Sequence, residues 1–357
     1  TFTNAAAAEM RQRLRAKLEQ ALSANPGSRH LRRQLALVGR AQVTTLHSFC
    51  LDVVRRYAHL SGLDPAFRIA NETEAALLRQ EALEEVFERR YAEAAEGAPF
   101  WRLADGFGGE RGDDGLMRLV DRLYDYARSH PFPERWLREA ADMFRLGDRE
   151  MPELPEDHPW LMSLKEEARL ELAAALSALE TAAELCASPN GPAAYADNLL
   201  ADAAYARRLL AALDAGGWRA LRTEALDAGP GGAFARLKPQ RGGEADEALT
   251  KRVKELREAG RERIGALTER LLAPPPEAYA ADVRGLHPLM DELARLVLDF
   301  GAAYARAKAE RGLADFGDLE HACLKVLLDP SSAPGSLAPS EAARSYREQF
   351  AEVYVDE

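Results

Sequence analysis

Two adjacent carboxylates, Asp356 and Glu357, follow an apolar run of β-forming residues at 353–355. This pattern predicts a buried strand over 350–355 that delivers both carboxylates to its carboxyl end, where open α/β sheets bind their ligands. In nucleotide hydrolases an Asp at such a place holds Mg²⁺, and a following Glu orients and deprotonates the attacking water. Many ordinary strands also end in acidic residues, so the pair alone leaves both interpretations open.

A second polar group lies at the start of the chain, where Thr1-Phe2-Thr3-Asn4 precedes an alanine-rich segment. Asn4 is predicted to cap a helix over 5–22, which gathers the Thr3 hydroxyl, an amide and backbone N–H groups at one helix N-terminus. Such a helix end is suited to binding a phosphate. Phe2 either offers a face on which a nucleic-acid base stacks or belongs to the core.

The same arrangement recurs at Thr44-Thr45-Leu46-His47-Ser48. A short strand over 41–45 is predicted to lead into a helix over 48–60, with the hydroxyls of Thr45 and Ser48 at the junction. His47 either donates to a phosphate, stacks on a base, or is a structural histidine. The sequence therefore contains two candidate phosphate sites of one design.

Most of the chain between these groups has the periodicity of helices. Apolar residues recur at helical spacing from about 72 to 311, with breaks at clusters of Pro and Gly. The predicted helices cover 5–22, 30–38, 48–60, 72–95, 115–129, 133–145, 160–187, 193–213, 244–272 and 278–311, and Asp315 is placed to cap another. The simplest organisation is α/β plus α, with one α/β domain made of 1–60 and 312–357 and split by a large helical insertion over 61–311.

Composition and charge limit the function classes. Hydrophobic residues make up 47% of the chain, as in a globular protein, and no apolar run approaches the roughly 20 residues of a membrane-spanning helix. The three cysteines are far apart, which argues against a disulfide framework or a zinc site and fits a reducing cytoplasm.

The net charge is −11, yet the first 57 residues hold ten basic and three acidic side chains. This basic end suits a local contact with a polyanion, or is a solvated helix face.

Taken in order, the two hydroxyl-rich helix starts and the terminal Asp356-Glu357 resemble motifs Ia, Ib and II of superfamily 1 DNA helicases of the UvrD/Rep type. Thr-Phe-Thr-Asn before an alanine-rich helix with Glu9-Met10 is the family form of the first motif. Asp315-Phe316-x-Asp318-Leu319 is similar to a family segment that follows the inserted domain. The resemblance implies a partial RecA-like parallel-sheet motor domain (1A), split by an all-helical 1B-like subdomain.

Within this family the chain is more similar to the AddA branch, whose members are one of the two subunits of bacterial ATP-dependent helicase-nucleases. The similarity lies in the segments 67–81, 123–131, 136–137 and 312–316, and in an insertion larger than a simple UvrD-type 1B. It implies a parent protein that couples ATP hydrolysis to translocation on single-stranded DNA and processes double-strand breaks for recombinational repair. The implied partners are single-stranded and duplex DNA and an AddB-like nuclease subunit, in the cytoplasm and without a membrane.

The resemblance also implies roles for individual residues. Asp356 is expected to bind Mg²⁺, and Glu357 to act as the general base in ATP hydrolysis. The DNA-binding residues are expected to hold phosphates or to contact bases and sugars, and they are Phe2, Thr3, Asn4, Thr45, His47 and Ser48.

The chain contains no Gly-x-x-x-x-Gly-Lys-Ser/Thr phosphate loop. In the family this loop precedes motif Ia and further domains follow motif II, so the chain is expected to be a fragment of a longer protein. By itself it is expected to hold neither ATP nor Mg²⁺ tightly, to be catalytically inactive, and to bind single-stranded DNA weakly at most.

Two other interpretations stay open at this point. The chain could come from a RecB-like or UvrD-like motor of the same superfamily. In the other interpretation the chain is a helical protein-interaction or DNA-docking module without catalytic activity, and residues 60–311 alone would then bind a partner.

Overall fold

The structure, a computed structural model, describes residues 1, 3–108, 112–146, 153–228, 234–238, 245–331, 333 and 335–355. Helices dominate these residues, and each helix predicted from periodicity is present, although several differ in length. In chain order the α-helices are α1 (Asn4–Ala24), α2 (Arg29–Leu37), α3 (Leu46–Arg56), α4 (Ala58–Ser61), α5 (Glu72–Glu93), α6 (Pro99–Phe107), α7 (Asp114–Arg128), α8 (Pro133–Asp142), α9 (Pro159–Ala187), α10 (Ala196–Asp227), α11 (Glu247–Leu267), α12 (Pro276–Glu310), α13 (Phe316–Leu327) and α14 (Glu341–Gln349).

A small parallel sheet joins two segments that are distant in sequence. Strand β1 (Arg68–Ile69) pairs with β2 (Leu313–Ala314), with Arg68 opposite Leu313. The Arg68 amide donates to the Gly312 carbonyl at 3.0 Å. Each strand leads directly into a helix, β1 into α5 and β2 into α13, so the pairing brings the two helix starts to the same edge.

The predictions of strands at 41–45 and 350–355 are wrong for the part of the chain that the structure describes. A strand needs a neighbour for its backbone hydrogen bonds, and among the described residues only β1 and β2 pair as strands. The Val43 carbonyl instead accepts from the Arg11 guanidinium at 2.8 Å. Residues 351–355 are exposed instead of buried, with Tyr354 87% accessible.

The chain divides into two compact units. The first comprises Thr1–Ala140 and Leu289–Glu357, and the second comprises Ala141–Pro288. These bounds differ from the sequence-based division into 1–60 plus 312–357 and 61–311. That division concerns a motor domain and its insertion, and it stays a prediction.

The first unit contains the candidate site and has a core beneath it. Helix α3 packs against α13, and α14 completes this core. Its buried apolar residues are Cys50, Val53, Val54, Leu319, Ala322, Cys323, Val326, Ala342 and Tyr346. In the same unit, Tyr124 of α7 contacts the rings of Phe300 and Tyr304 of α12, with centroid distances of 5.0 and 6.1 Å. The Tyr124 contacts join α7 to α12, and the packing of α3 against α13 fixes the N-terminal ends of these two helices relative to each other.

The second unit is a helical bundle with its own core. Helices α9, α10 and α11 pack through fully buried leucines such as Leu172, Leu179 and Leu199. The close approach of α9 and α11 requires a glycine, because a Cβ on Gly260 would lie 2.9 Å from Leu179 Cγ. None of the described helices combines the length and the apolar character needed to cross a membrane.

Candidate nucleic-acid interface

The first helix start is capped by a threonine. The Ala6 amide donates to Thr3 Oγ1 at 3.0 Å, and Thr3 has an extended backbone. Asn4, which was predicted to be the cap, is instead the first helical residue. The prediction was one residue late because Thr and Asn both serve as N-caps, and only the backbone angles decide between neighbours. The amides of Asn4 and Ala5 are left without an acceptor inside the helix.

The second helix start has the same design. Thr45 caps α3, and its Oγ1 accepts from the Ser48 amide at 3.2 Å. The Thr45 hydroxyl in turn donates to Ser48 Oγ at 2.8 Å. Thr45 is buried and therefore fixed in position, while Ser48 is half-buried. The amides of Leu46 and His47 lie at the helix end without an intrahelical acceptor.

The two helix starts meet in the first unit. Ser48 Oγ donates to Asn4 Oδ1 at 3.4 Å, across 44 positions of sequence. The amino group of Thr1 lies 3.4 Å from the Thr44 carbonyl, which holds the residues before the two caps side by side. The structure therefore brings together Thr3, Asn4, Thr45 and Ser48, four of the predicted site residues. Because each helix N-terminus carries a partial positive charge, their joint electrostatic field favours an anion.

His47 lies beside these groups, on the side facing α13. Its Nε2 is 2.9 Å from Glu320 Oε1, and its ring centroid is 4.5 Å from that of Phe316, with 31° between the ring planes. Phe316 is 54% exposed, and Leu46 next to His47 is 64% exposed. Sequence reasoning missed Phe316 and Glu320 as residues of the site. For Phe316 the sequence did contain a local signal. A large apolar residue directly after the predicted cap Asp315 lies at the exposed start of a helix.

The basic residues of α1 contribute unequally. Arg11 bonds the Val43 carbonyl and so lies against the segment that leads into α3. Arg15 forms an exposed ion pair with Glu19, and Arg13 pairs with Glu9 in the same way. Exposed pairs of this kind are weak and readily exchanged. Arg11 is therefore the basic side chain of α1 that the structure connects to the interface.

The remaining predicted site residues cannot be placed. Phe2, Asp356 and Glu357 lie outside the described residues. Within the described ranges, no three His, Cys, Asp or Glu side chains are grouped so that they could hold a metal ion. The described residues therefore include predicted DNA-binding residues, but neither of the two carboxylates predicted to act on Mg²⁺ and ATP.

Comparison with known proteins defines the class of this molecule. The family model described as the UvrD/REP helicase N-terminal domain matches residues 1–357. The chain therefore belongs to the UvrD/REP helicase family, and the resemblance inferred from the motifs is confirmed. Over its whole length the chain is similar to proteins named as the A subunit of an ATP-dependent helicase/nuclease, with 43% identity to that of Heliobacterium modesticaldum, 44% to that of Pelotomaculum thermopropionicum and 42% to that of Bacillus licheniformis. It spans 26%, 27% and 28% of these relatives, about a quarter of their length.

A histidine behind the interface makes its stability depend on pH. His321 of α13 donates from Nε2 to the Arg128 carbonyl at 2.9 Å. Burial lowers the pKa of His321 below its ordinary value of 6.5, although the hydrogen bond to Arg128 opposes this change. The native state therefore favours the neutral ring. The neutral ring of His321 therefore contributes its full stabilisation above the unfolded-state pKa. This contribution is lost as the pH falls through the lower native-state pKa.

We expect the free energy of unfolding of the wild-type chain to fall between about pH 7.5 and about pH 5.5 by more than that of a His321→Gln variant. Glutamine keeps an N–H donor for the Arg128 carbonyl but does not titrate. Urea denaturation at both pH values measures the difference. An equal loss of stability in the two proteins would show that His321 titrates as freely in the folded chain as in the unfolded one.

Proposed function

We propose that the chain is part of an ATP-dependent DNA helicase-nuclease subunit that translocates on single-stranded DNA and processes double-strand breaks for recombinational repair. The observation that carries this proposal is the meeting of two capped helix N-termini, at Thr3 and Thr45, in a member of the UvrD/REP helicase family. The names of its relatives support the helicase-nuclease assignment. No specific observation favours the alternative of a non-catalytic interaction module, since the helicase family model covers the whole chain.

The proposed phosphate contacts follow from the direction of the hydrogen bonds. The Thr45 hydroxyl donates to Ser48, and the Ser48 hydroxyl donates to the Oδ1 of Asn4. This series leaves the Nδ2 of Asn4 and the first amides of both helices to donate to phosphate oxygens. The Thr3 hydroxyl, which accepts from Ala6, keeps its own proton to donate. Hydrogen bonds from these neutral donors to a charged phosphate are charge-assisted, and they position a nucleic-acid backbone without reading its sequence.

His47 and Phe2 are the proposed contacts to bases or sugars. The described position of His47, partly exposed and against the exposed ring of Phe316, supports this role because an aromatic surface binds unstacked bases of any sequence. For Phe2 the proposal rests on the motif alone.

We also propose the domain organisation implied by the family. Residues 1–60 and 312–357 would belong to a RecA-like motor domain, and 61–311 to a 1B-like insertion. The parallel pairing of β1 with β2 supports an insertion, since these strands lie near its predicted beginning and end. The chain would enter and leave the inserted segment at one place.

ATP and Mg²⁺ belong to the proposed function of the full-length parent. Asp356 is the proposed Mg²⁺ ligand and Glu357 the proposed general base. The other proposed partners of the parent are duplex DNA and an AddB-like nuclease subunit, and its proposed location is the cytoplasm. The exonuclease activity would reside outside this chain.

We expect the 357-residue chain alone not to hydrolyse ATP, because its sequence contains no phosphate loop to hold the β- and γ-phosphates. Phosphate release by the chain should equal that of its Glu357→Gln variant, with and without single-stranded DNA. A rate above that of the variant would contradict this expectation and would require a nucleotide site of another kind.

Replacing the α3 cap tests the interface. We expect Thr45→Ala to weaken binding of a fluorescent oligothymidylate roughly tenfold at low salt, because the substitution removes the cap and the hydroxyl that hold the first amides of α3 and Ser48 in place. Ser28→Ala is the matched control, because Ser28 caps α2 in the same way through the Leu31 amide. Each substitution should cost about 1 kcal/mol of stability. Equal DNA affinities of the two variants, measured by anisotropy, would contradict a role for the Thr45 helix start in binding.

A further inference from the structure

A lysine is buried behind the interface. Lys308, near the end of α12, is only 2% exposed. Its Nζ lies 2.7 Å from Asp315 Oδ2 and also pairs with Asp318, and it stands 4.1 Å from the ring centroid of Tyr304. Lysine is almost never fully buried unless it is paired, since removing its ammonium group from water is costly. Such a cost calls for a reason in the structure.

The two carboxylates that Lys308 binds are those that begin α13. Asp315 Oδ1 accepts from the Asp318 amide at 2.9 Å, and Asp318 Oδ2 accepts from the Asp315 amide at 3.0 Å, which forms a reciprocal capping box. Arg128 of α7 adds an ion pair to Asp318 at 3.1 Å. Two cations and two carboxylates therefore form a charge-balanced cluster. The capping box of α5, formed by Asn71 and Glu74, is instead bound by the exposed guanidinium of Arg68, so a capping box does not require a buried cation.

The cluster acts on the first turn of α13, and that turn contacts the candidate interface. Phe316 follows Asp315 directly, and its ring is the one that faces His47. Glu320, one turn later, bonds His47 Nε2. The position of the His47 ring thus depends on where α13 begins and on how that beginning is oriented. Lys308 and Arg128 tie this beginning to α12 and α7, which lie behind it.

We propose that Lys308 is a positioning residue of the nucleic-acid interface: by binding the two capping carboxylates of α13 it holds Phe316 and Glu320 against His47. The part of this inference that concerns DNA rests on the proposed function. The part that concerns the position of His47 does not. Lys308 itself contacts no DNA in this proposal and acts only through α13.

The ring contact offers a direct spectroscopic test. The protons of a His47 ring 4.5 Å from the Phe316 ring are shifted by its ring current, and the chain has only seven histidines to distinguish. We expect Lys308→Met, which keeps the length of the side chain and removes its charge, to move the His47 signals toward those of a free histidine. A His47→Gln variant assigns these signals. Arg306→Met is the control, since Arg306 lies on the same helix, is half-exposed and forms an ion pair with Glu85 at the surface.

Lys308→Met leaves two partly buried carboxylates with one cation fewer, so the variant must first be shown to fold by circular dichroism. If it does not fold, Asp315→Asn carries the test. Asparagine caps a helix as well as aspartate but cannot form the ion pair with Lys308. A displaced His47 signal in this variant supports the proposal, because the hydrogen-bonded cap is retained. Unchanged His47 signals in a folded Lys308→Met or Asp315→Asn variant overturn it.

DNA binding by the same variants separates this inference from the function on which it partly rests. We expect Lys308→Met to bind an oligothymidylate roughly tenfold more weakly than Arg306→Met. A displaced His47 ring together with unchanged DNA affinity would support the positioning role of Lys308 and overturn the assignment of His47 to the DNA contact.

Discussion

The first backbone amides of a helix have no partner within that helix, and in this chain two such helix ends lie together. The Asn4 side chain, the Ser48 hydroxyl and the Thr45 hydroxyl join them through a continuous series of hydrogen bonds. Each end is capped by a threonine, which satisfies one amide and leaves the outermost ones directed away from the helix. The consequence is a compact group of neutral donors whose electrostatic field favours phosphate. This way of binding phosphate requires no cluster of lysines.

The rest of the first unit serves to hold these ends in place. Helix α3 is fixed by its apolar packing on α13, and α13 is fixed at its beginning by Lys308 and Arg128. The short β1–β2 pair anchors the chain immediately before α13. An overall charge of −11 is compatible with nucleic-acid binding under this arrangement, because the donors are backbone and side-chain N–H and O–H groups at one location.

What the sequence predicted well was local. A hydroxyl at Thr45 and another at Ser48 are separated by the three positions of an N-cap, and Asp315 followed by Asp318 has the spacing of a capping box, so each helix start could be recognised within four residues. The structure confirms Asp315 as the cap of α13 and places both hydroxyls at the start of α3, which is capped by Thr45 and begins two residues before the predicted start at 48. The long helices were also predictable, because apolar periodicity is repeated over many turns. Helix α10 extends beyond its predicted end at 213 but is kinked at Gly217, whose φ of 69° and ψ of −156° are not helical, and the helical segment after the kink buries Trp218 and Leu221 in the core of the second unit.

The features that the sequence could not predict depend on contacts that no local pattern shows. The β-forming residues at 353–355 become a strand only if another strand accepts them, and their composition cannot show whether one does. The contact of His47 with Glu320 joins positions 273 residues apart, so no local sequence pattern predicts it. The burial of Lys308 was not predictable either, although its partners Asp315 and Asp318 are only seven and ten residues away in sequence. Its sequence neighbours Ala307 and Ala309 indicate only a helix, and the carboxylates that stabilise it come from the following turn and its capping box.

Amide chemical-shift mapping tests the role of the joined helix ends most directly. The ¹⁵N–¹H spectrum of the chain would be recorded while an unlabelled oligothymidylate is added at low salt. If the helix starts hold the phosphates, the largest changes fall on the amides of Asn4, Ala5, Leu46 and His47, and they reverse when salt is raised. Changes confined to other helices, with these four amides unmoved at saturation, would contradict the interface described above.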